Sequence, residues 1–134
     1  LYMGNIDSKR DWGHARDYVE LQWRMLQQEK PEDFVIATGR QASVREFIEL
    51  AAKELGWEGI KWEGSDVDEI GKRKDTGETV IKINPKLFRP AEVDSLLGDP
   101  TNANNKLGWR PKSSLKDLIS EMIHNDLKIE RTKI

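Results

Sequence analysis

Apolar and polar positions along the chain fall into helical and strand-like periods that predict most of its elements. Ala15, Tyr18, Val19, Gln22, Trp23, Met25 and Leu26 recur at three- and four-residue intervals, which predicts an amphipathic helix over residues 13–29 with these side chains on its buried face. Lys30-Pro31 ends it, because a residue before proline is pushed out of the α region. The continuous apolar run Phe34-Val35-Ile36-Ala37 reads as a buried strand, and 38–41 as a turn. Ser43-Val44-Arg45-Glu46 is a capping box opening a helix with Val44, Phe47, Ile48, Ala51, Ala52 and Leu55 on one face, and Gly56 is the left-handed residue that ends it. With Ile60-Lys61-Trp62 as a second strand, residues 33–62 predict a β-α-β unit with parallel strands and a right-handed crossover.

Residues 63–78 are charged, contain glycine and show no hydrophobic period, which predicts a loop or insertion. Residues 79–83 alternate and are β-branched, a strand signal. Asp99-Pro100 predicts an N-cap with proline in the first turn of a short helix closing at Leu107-Gly108. Ser113 or Ser114 caps a last helix carrying Leu115, Leu118, Ile119, Met122, Ile123 and Leu127, and the charged tail 128–134 is expected to fray. The pattern as a whole is small α/β, with three or four short strands and about four helices, too few for a complete dinucleotide-binding sheet.

Composition narrows the function classes. The 134 residues hold 22 basic and 24 acidic side chains, a net charge of −2, so the basic excess of a nucleic-acid binder is missing. No apolar run approaches the ~20 residues that cross a bilayer. The absence of cysteine excludes disulfides, thiol catalysis and thiolate metal sites, and fits a cytoplasmic location. Leu1-Tyr2-Met3-Gly4 leads straight into polar residues, so no signal peptide is expected; a start at leucine suggests part of a longer protein. Five tryptophans are a high share for this length, and core or domain-interface positions are their simplest places.

Catalytic sets are missing. There is no glycine-rich dinucleotide or phosphate loop and no Tyr-x-x-x-Lys pair, and His14 and His124 stand in no ligand motif. Two segments carry chemistry instead. Arg10 and Asp11 precede the first helix beside Trp12, where a guanidinium could grip phosphate oxygens near helix amides; an ion pair of Arg10 with Asp11, or of an arginine with Asp17, that only fixes the loop is the alternative. Asp11 reads as an orienting or capping residue. In the segment from Phe88 to Asp94, Arg89 is stiffened by the following proline, and Glu92 could hold a ribose hydroxyl pair or a base edge; the alternative is a solvated loop with an Arg89–Glu92 pair.

The blocks KRDWGHARDYV (9–19), PEDFVIATG (31–39), SVREF (43–47), FRPAEVD (88–94), LGDPT (97–101) and KLGW (106–109) together resemble the extended short-chain dehydrogenase/reductase family, and within it the branch acting on GDP-mannose. The resemblance implies a Rossmann-like enzyme of two parts. An N-terminal domain, absent from this chain, would hold NADP and the catalytic Thr/Ser, Glu, Tyr and Lys; the present residues would form the small C-terminal substrate-binding domain and be inactive alone. It further implies phosphate contacts from Arg10 and Arg89, a ribose or base contact from Glu92, and a weaker assignment of Gly4 and Asn5 along the nucleotide. The implied reaction takes GDP-mannose to GDP-4-keto-6-deoxymannose: hydride leaves C4 for NADP, water is eliminated across C5–C6, and hydride returns to C6 in what is expected to be a homo-oligomer. A related nucleotide-sugar epimerase or reductase, and a non-catalytic sugar-nucleotide-binding module, remain open alternatives.

Overall fold

The computed structural model describes residues 1–133. Six short strands, four α-helices and one 3-10 turn follow in the order β1 (Tyr2–Met3), β2 (Lys9–Asp11), α1 (Ala15–Leu26), β3 (Gln41–Ser43), α2 (Val44–Glu54), β4 (Ile60–Glu63), the 3-10 turn (Asp66–Asp68), β5 (Ile70–Arg73), β6 (Thr79–Ile83), α3 (Thr101–Leu107) and α4 (Leu115–Arg131). One sheet has the order β1-β6-β5-β4, with β1 parallel to β6 and the remaining pairs antiparallel. A second sheet is the antiparallel pair β2-β3. The α/β class holds, with more strands than the pattern suggested.

Local signals are where sequence and structure agree best. Ser43 caps α2 through the reciprocal Ser43–Glu46 box, and Gly56 follows its end at φ 78°. Ser114, not Ser113, caps α4 in a box with Asp117. The cap of α3 falls one residue later than expected, on Pro100, which offers no side-chain cap; Asp99 instead accepts from the Thr101 amide at 3.0 Å just ahead of the helix, whose end at Gly108 with φ 59° is as expected.

Four expectations are corrected. Residues 34–37 are extended but belong to no strand: none of their backbone groups finds a partner among the described residues. The β-α-β unit therefore does not form. The strand entering α2 is β3, which pairs antiparallel with β2, while β4 lies in the other sheet. Residues 63–78 are no loop, since they contain the 3-10 turn and β5. The inward position of that strand is Gly71, whose absent side chain erases the hydrophobic period; a Cβ there would sit 2.9 Å from the Trp62 ring and 3.1 Å from Ile81. Lastly, α4 stays helical to Arg131, so most of the segment expected to fray is helix, and Ile134 lies outside the described residues.

The buried face of α1 also differs. Its interior residues are Asp17 and Leu21, with Tyr18 and Met25 beside them, whereas Val19, Trp23 and Leu26 are 60%, 62% and 81% exposed. Leu21 packs with Ala103 and Trp109 in a fully buried cluster that Phe34 and Ile36 join from the extended segment. Ile60, Ile81 and Ile83 are buried on the four-stranded sheet, and Ala52 of α2 and Ile119 of α4 are buried where those two helices pack. Three other tryptophans are half-buried and each has a polar or aromatic partner: Trp12 on Phe47, Trp57 under Arg73 and Trp62 under Arg45.

Asp17 ties the helical layer together. Its Oδ2 accepts from the amides of Lys112 and Ser113 at 3.0 and 2.9 Å, and its carbonyl accepts from Trp109 Nε1 at 2.9 Å. Removing that carboxylate strands two amides in a poorly solvated place. We expect Asp17→Ala to lower the unfolding free energy of the protein by roughly 2–4 kcal/mol in a urea titration. A change below about 0.5 kcal/mol would mean that water replaces the carboxylate at no cost.

Candidate functional site

The residues singled out from sequence come from two loops that the fold lays side by side. The first runs from Gly4 to Ser8 and continues into β2. The second follows β6 and runs from Asn84 to Ser95. They are stitched by backbone and side chain alike: Lys9 N donates to Asp94 O at 2.8 Å, and Leu96 N donates to Lys9 O at 3.2 Å. Gly4 approaches the Leu87 carbonyl so closely that a Cβ would collide with it.

Asn5 makes the decisive connection. Its Oδ1 accepts from the Arg89 amide at 2.8 Å and its Nδ2 donates to the Arg89 carbonyl at 3.0 Å, so one side chain holds both backbone groups of one residue. Arg10 is equally engaged, donating to the carbonyls of Lys9 and Val93 at 2.7 and 2.8 Å and to Glu92 Oε1 at 2.7 Å. Glu92 lies between two guanidiniums, 2.7 Å from Arg10 and 3.9 Å from Arg89. Arg89 itself projects outward with its side chain 78% exposed. Gly4, Asn5, Arg10, Arg89 and Glu92 thus form one cluster, in which the Arg89–Glu92 pair is present and Arg10 pairs with Glu92 rather than Asp11.

Asp11 orients its neighbours, as its place before the helix suggested. It accepts from Thr38 N, Thr38 Oγ1 and Gly39 N at 2.9, 2.6 and 2.9 Å, anchoring the turn after the extended segment. Trp12 fixes the same loop by donating to the Ala42 carbonyl at 3.0 Å. His14 caps α1 and faces Glu121, while His124 lies by Glu54, so each histidine has a structural partner.

A hollow of about 440 Å³ beside the cluster is lined by Gly4, Asn5, Asp66, Glu69, Phe88 and Asp94, among others. A second depression of about 440 Å³ carries Arg10 and Tyr18 next to Val35, Leu96 and Leu97 on the exposed apolar face. A roomier cavity, about 580 Å³, lies elsewhere, with Arg40, Arg110 and Lys112 on its walls and none of the five cluster residues.

Sequence reasoning missed the cluster under the first loop. Arg45 donates to both oxygens of Asp7 and both oxygens of Glu69 while its guanidinium lies over Trp62. The hydrogen-bonded guanidinium holds the Asp7 carboxyl below its usual value of 3.8. The partners are distant in sequence, so no spacing rule reveals them.

The chain spans about a third of the length of the curated relatives it matches. A GDP-mannose 4,6-dehydratase of Vibrio cholerae is 53% identical over 139 residues, covering 96% of this chain and 37% of that protein. The GDP-mannose 4,6 dehydratase of Homo sapiens is 50% identical over 130 residues, covering 97% and 35%. Among solved structures, RMD of Pseudomonas aeruginosa, complexed with NADPH, aligns with a TM-score of 0.70 at 21% identity over 93% of this chain and 35% of that one. The UDP-glucose 4-epimerase of Thermotoga maritima, with UDP-glucose, aligns with a TM-score of 0.71 at 22% identity over 96% and 35%. The fold is thus one shared with part of each of these proteins. More particularly, the family model described as GDP-mannose 4,6 dehydratase matches residues 1–122, and the chain belongs to that family. Among the described residues no helix is long and apolar enough to cross a membrane.

Two outcomes test the geometry. Asn5→Asp replaces a donor by a carboxylate facing the Arg89 carbonyl; we expect hydrogen exchange at the Arg89 amide to accelerate about tenfold, matching the loss of one net hydrogen bond of roughly 1–1.5 kcal/mol. Unchanged exchange would show that the second loop holds itself. Because the folded pKa of Asp7 is depressed, its stabilising contribution is complete above the unfolded value near 3.8 and is lost as pH falls through the lower folded value. An acid titration comparing the protein with Asp7→Asn should find the stability gap closing only below that point. A gap independent of pH would remove the charge from the account.

Proposed function

We propose that this chain is the substrate-gripping part of a GDP-mannose 4,6-dehydratase, and that the cluster of Asn5, Arg10, Arg89 and Glu92 holds the nucleotide diphosphate of GDP-mannose. The single observation that carries the reading is the convergence of these residues, 84 positions apart for Asn5 and Arg89, into one cross-tied pair of loops. Two guanidiniums so close would repel in the absence of an anion. Glu92 offsets one of these two charges; a diphosphate between the arginines would take over that task and leave the carboxylate free to turn to the ribose hydroxyls. Arg89 supplies bidentate donors from the rim, and Arg10 a second positive charge already fixed by two carbonyls. Gly4 keeps the first loop close enough to the second for both to touch one ligand.

The rest of the reading follows from what these residues leave exposed. Phe34 and Ile36 point into the chain's own core while Val35 is turned outward and the backbone between them is unpaired, a strand edge ready for a neighbour. Val19, Trp23 and Leu26 add an outward apolar stripe on α1, and Arg10 lines the depression beside Val35. We assign this face to a preceding Rossmann-like domain of the same polypeptide, so that the diphosphate lies where the two parts meet. That domain would hold NADP, which when bound would supply the hydride chemistry, accepting a hydride and giving it back within one turnover. The residues described here bind and orient the sugar nucleotide; none is given a proton to move. A cytoplasmic, homo-oligomeric enzyme is part of the same reading, and the chain alone is expected to show no turnover.

In the longer protein, titration with GDP, UDP and dTDP should show a preference for GDP, and Arg89→Ala should raise KM for GDP-mannose about ten- to a hundredfold, the equivalent of roughly 1.5–3 kcal/mol for a charged hydrogen-bonded contact. A preference for UDP or dTDP would favour a related epimerase or reductase. An unchanged KM would leave Arg89 a solvated surface charge.

A further inference from the structure

We propose that Arg45 is a positioning residue for this site, the crosspiece that sets the distance between its two loops; the inference rests on the reading of those loops as the diphosphate site. Arg45 lies in the first turn of α2 and touches neither Arg10, Arg89 nor Glu92 through any hydrogen bond. What it does touch are the first loop itself and a buried glutamate beside the root of the second. Its Nε and Nη2 donate to the two oxygens of Asp7 at 2.7 and 2.9 Å, in the middle of the first loop. Its Nη1 and Nη2 donate to the two oxygens of Glu69 at 2.6 and 3.0 Å. Glu69 is buried, and its carbonyl accepts from Ile83 N at 3.4 Å, at the end of β6 where the second loop departs.

The geometry allows little slack. The guanidinium lies 4.5 Å from the centre of the Trp62 ring, which is itself held by a 3.0 Å hydrogen bond from its Nε1 to Glu49. The backbone of α2 grips the same loop, with Arg45 N donating to Ile6 O at 2.8 Å and Val44 N to Ser8 O at 3.3 Å. Those first-turn amides have no partner inside the helix, so the loop completes the helix and the helix orders the loop. Asn5 lies between Gly4 and Ile6, and its clip on Arg89 depends on where that loop is held. A planar guanidinium with five donors can serve two carboxylates and a ring face together, whereas an ammonium of similar charge cannot.

Asp7 offers the clean test, because its side chain is 74% exposed and its loss leaves no buried charge unpaired. In the longer protein, Asp7→Asn should raise the Kd for GDP roughly threefold and Arg45→Lys about tenfold, the range for residues that act through a network. Asp7→Asn should do so with only the small loss of Tm expected when one exposed carboxylate leaves an ion pair, and both variants should accelerate amide exchange in residues 4–8 and 87–93. Arg73→Ala, which removes a comparable arginine on Trp57 and Asp75, should move neither readout. GDP binding that is present in the unaltered protein and unmoved by Asp7→Asn and Arg45→Lys overturns the positioning role alone. No GDP binding by the unaltered protein overturns the reading of the site, even where exchange in the two loops still responds to Asp7→Asn.

Discussion

One side chain, Asn5, fastens the loop after β6 to the loop after β1. The second loop has no regular structure between Asn84 and Ser95 apart from a single bridge at Ser95, so its shape depends on what grips it from outside. Asn5 takes both backbone groups of Arg89, and Arg10 takes the Val93 carbonyl and the Glu92 carboxylate. Both gripping residues come from one short stretch that passes from loop to strand. A stretch held at one end by α2 and at the other by β3 can act as a template for a loop whose own backbone bonds are confined to the turn at Asn84–Phe88.

The remaining elements keep that template rigid. The capping box at Ser43 starts α2 where its free amides face Ile6 and Ser8, and the ladder between β2 and β3 sets the direction of Arg10. Behind them, Asp11 anchors Thr38 and Gly39, while Asp17 anchors Lys112 and Ser113. The two carboxylates therefore work alike: each gathers backbone amides from a distant segment and so converts a flexible connection into a fixed one. Asp11 and Asp17 are both spent on backbone amides of the chain itself, and the proposed ligand chemistry falls to Arg10, Arg89 and Glu92.

How much of this was legible beforehand depends on range. The capping box at Ser43, a serine cap on the last helix and the helix ends at Gly56 and Gly108 are local and were readable from a few residues, whereas the Ser114–Asp117 box was not. The extended run at 34–37 was recognisable by its apolar character, but its pairing was not, because no partner strand lies within the described residues. Strand β5 was hidden by Gly71, and the core face of α1 was misplaced because that helix has apolar residues on two sides, Leu21 inward and Val19, Trp23 and Leu26 outward. Arg10, Arg89 and Glu92 stood out by residue type and context. That Arg10 would pair with Glu92, 82 positions away, and that Arg45 would join Asp7 to Glu69, required the folded chain.

The most direct measurement is a crystal structure of the longer protein with GDP bound. The account predicts diphosphate oxygens about 2.7–3.1 Å from the Arg89 guanidinium, with Glu92 withdrawn from Arg10 and turned toward the ribose. A nucleotide seated in the larger cavity walled by Arg40, Arg110 and Lys112, with the Arg10–Glu92 pair intact, would contradict it.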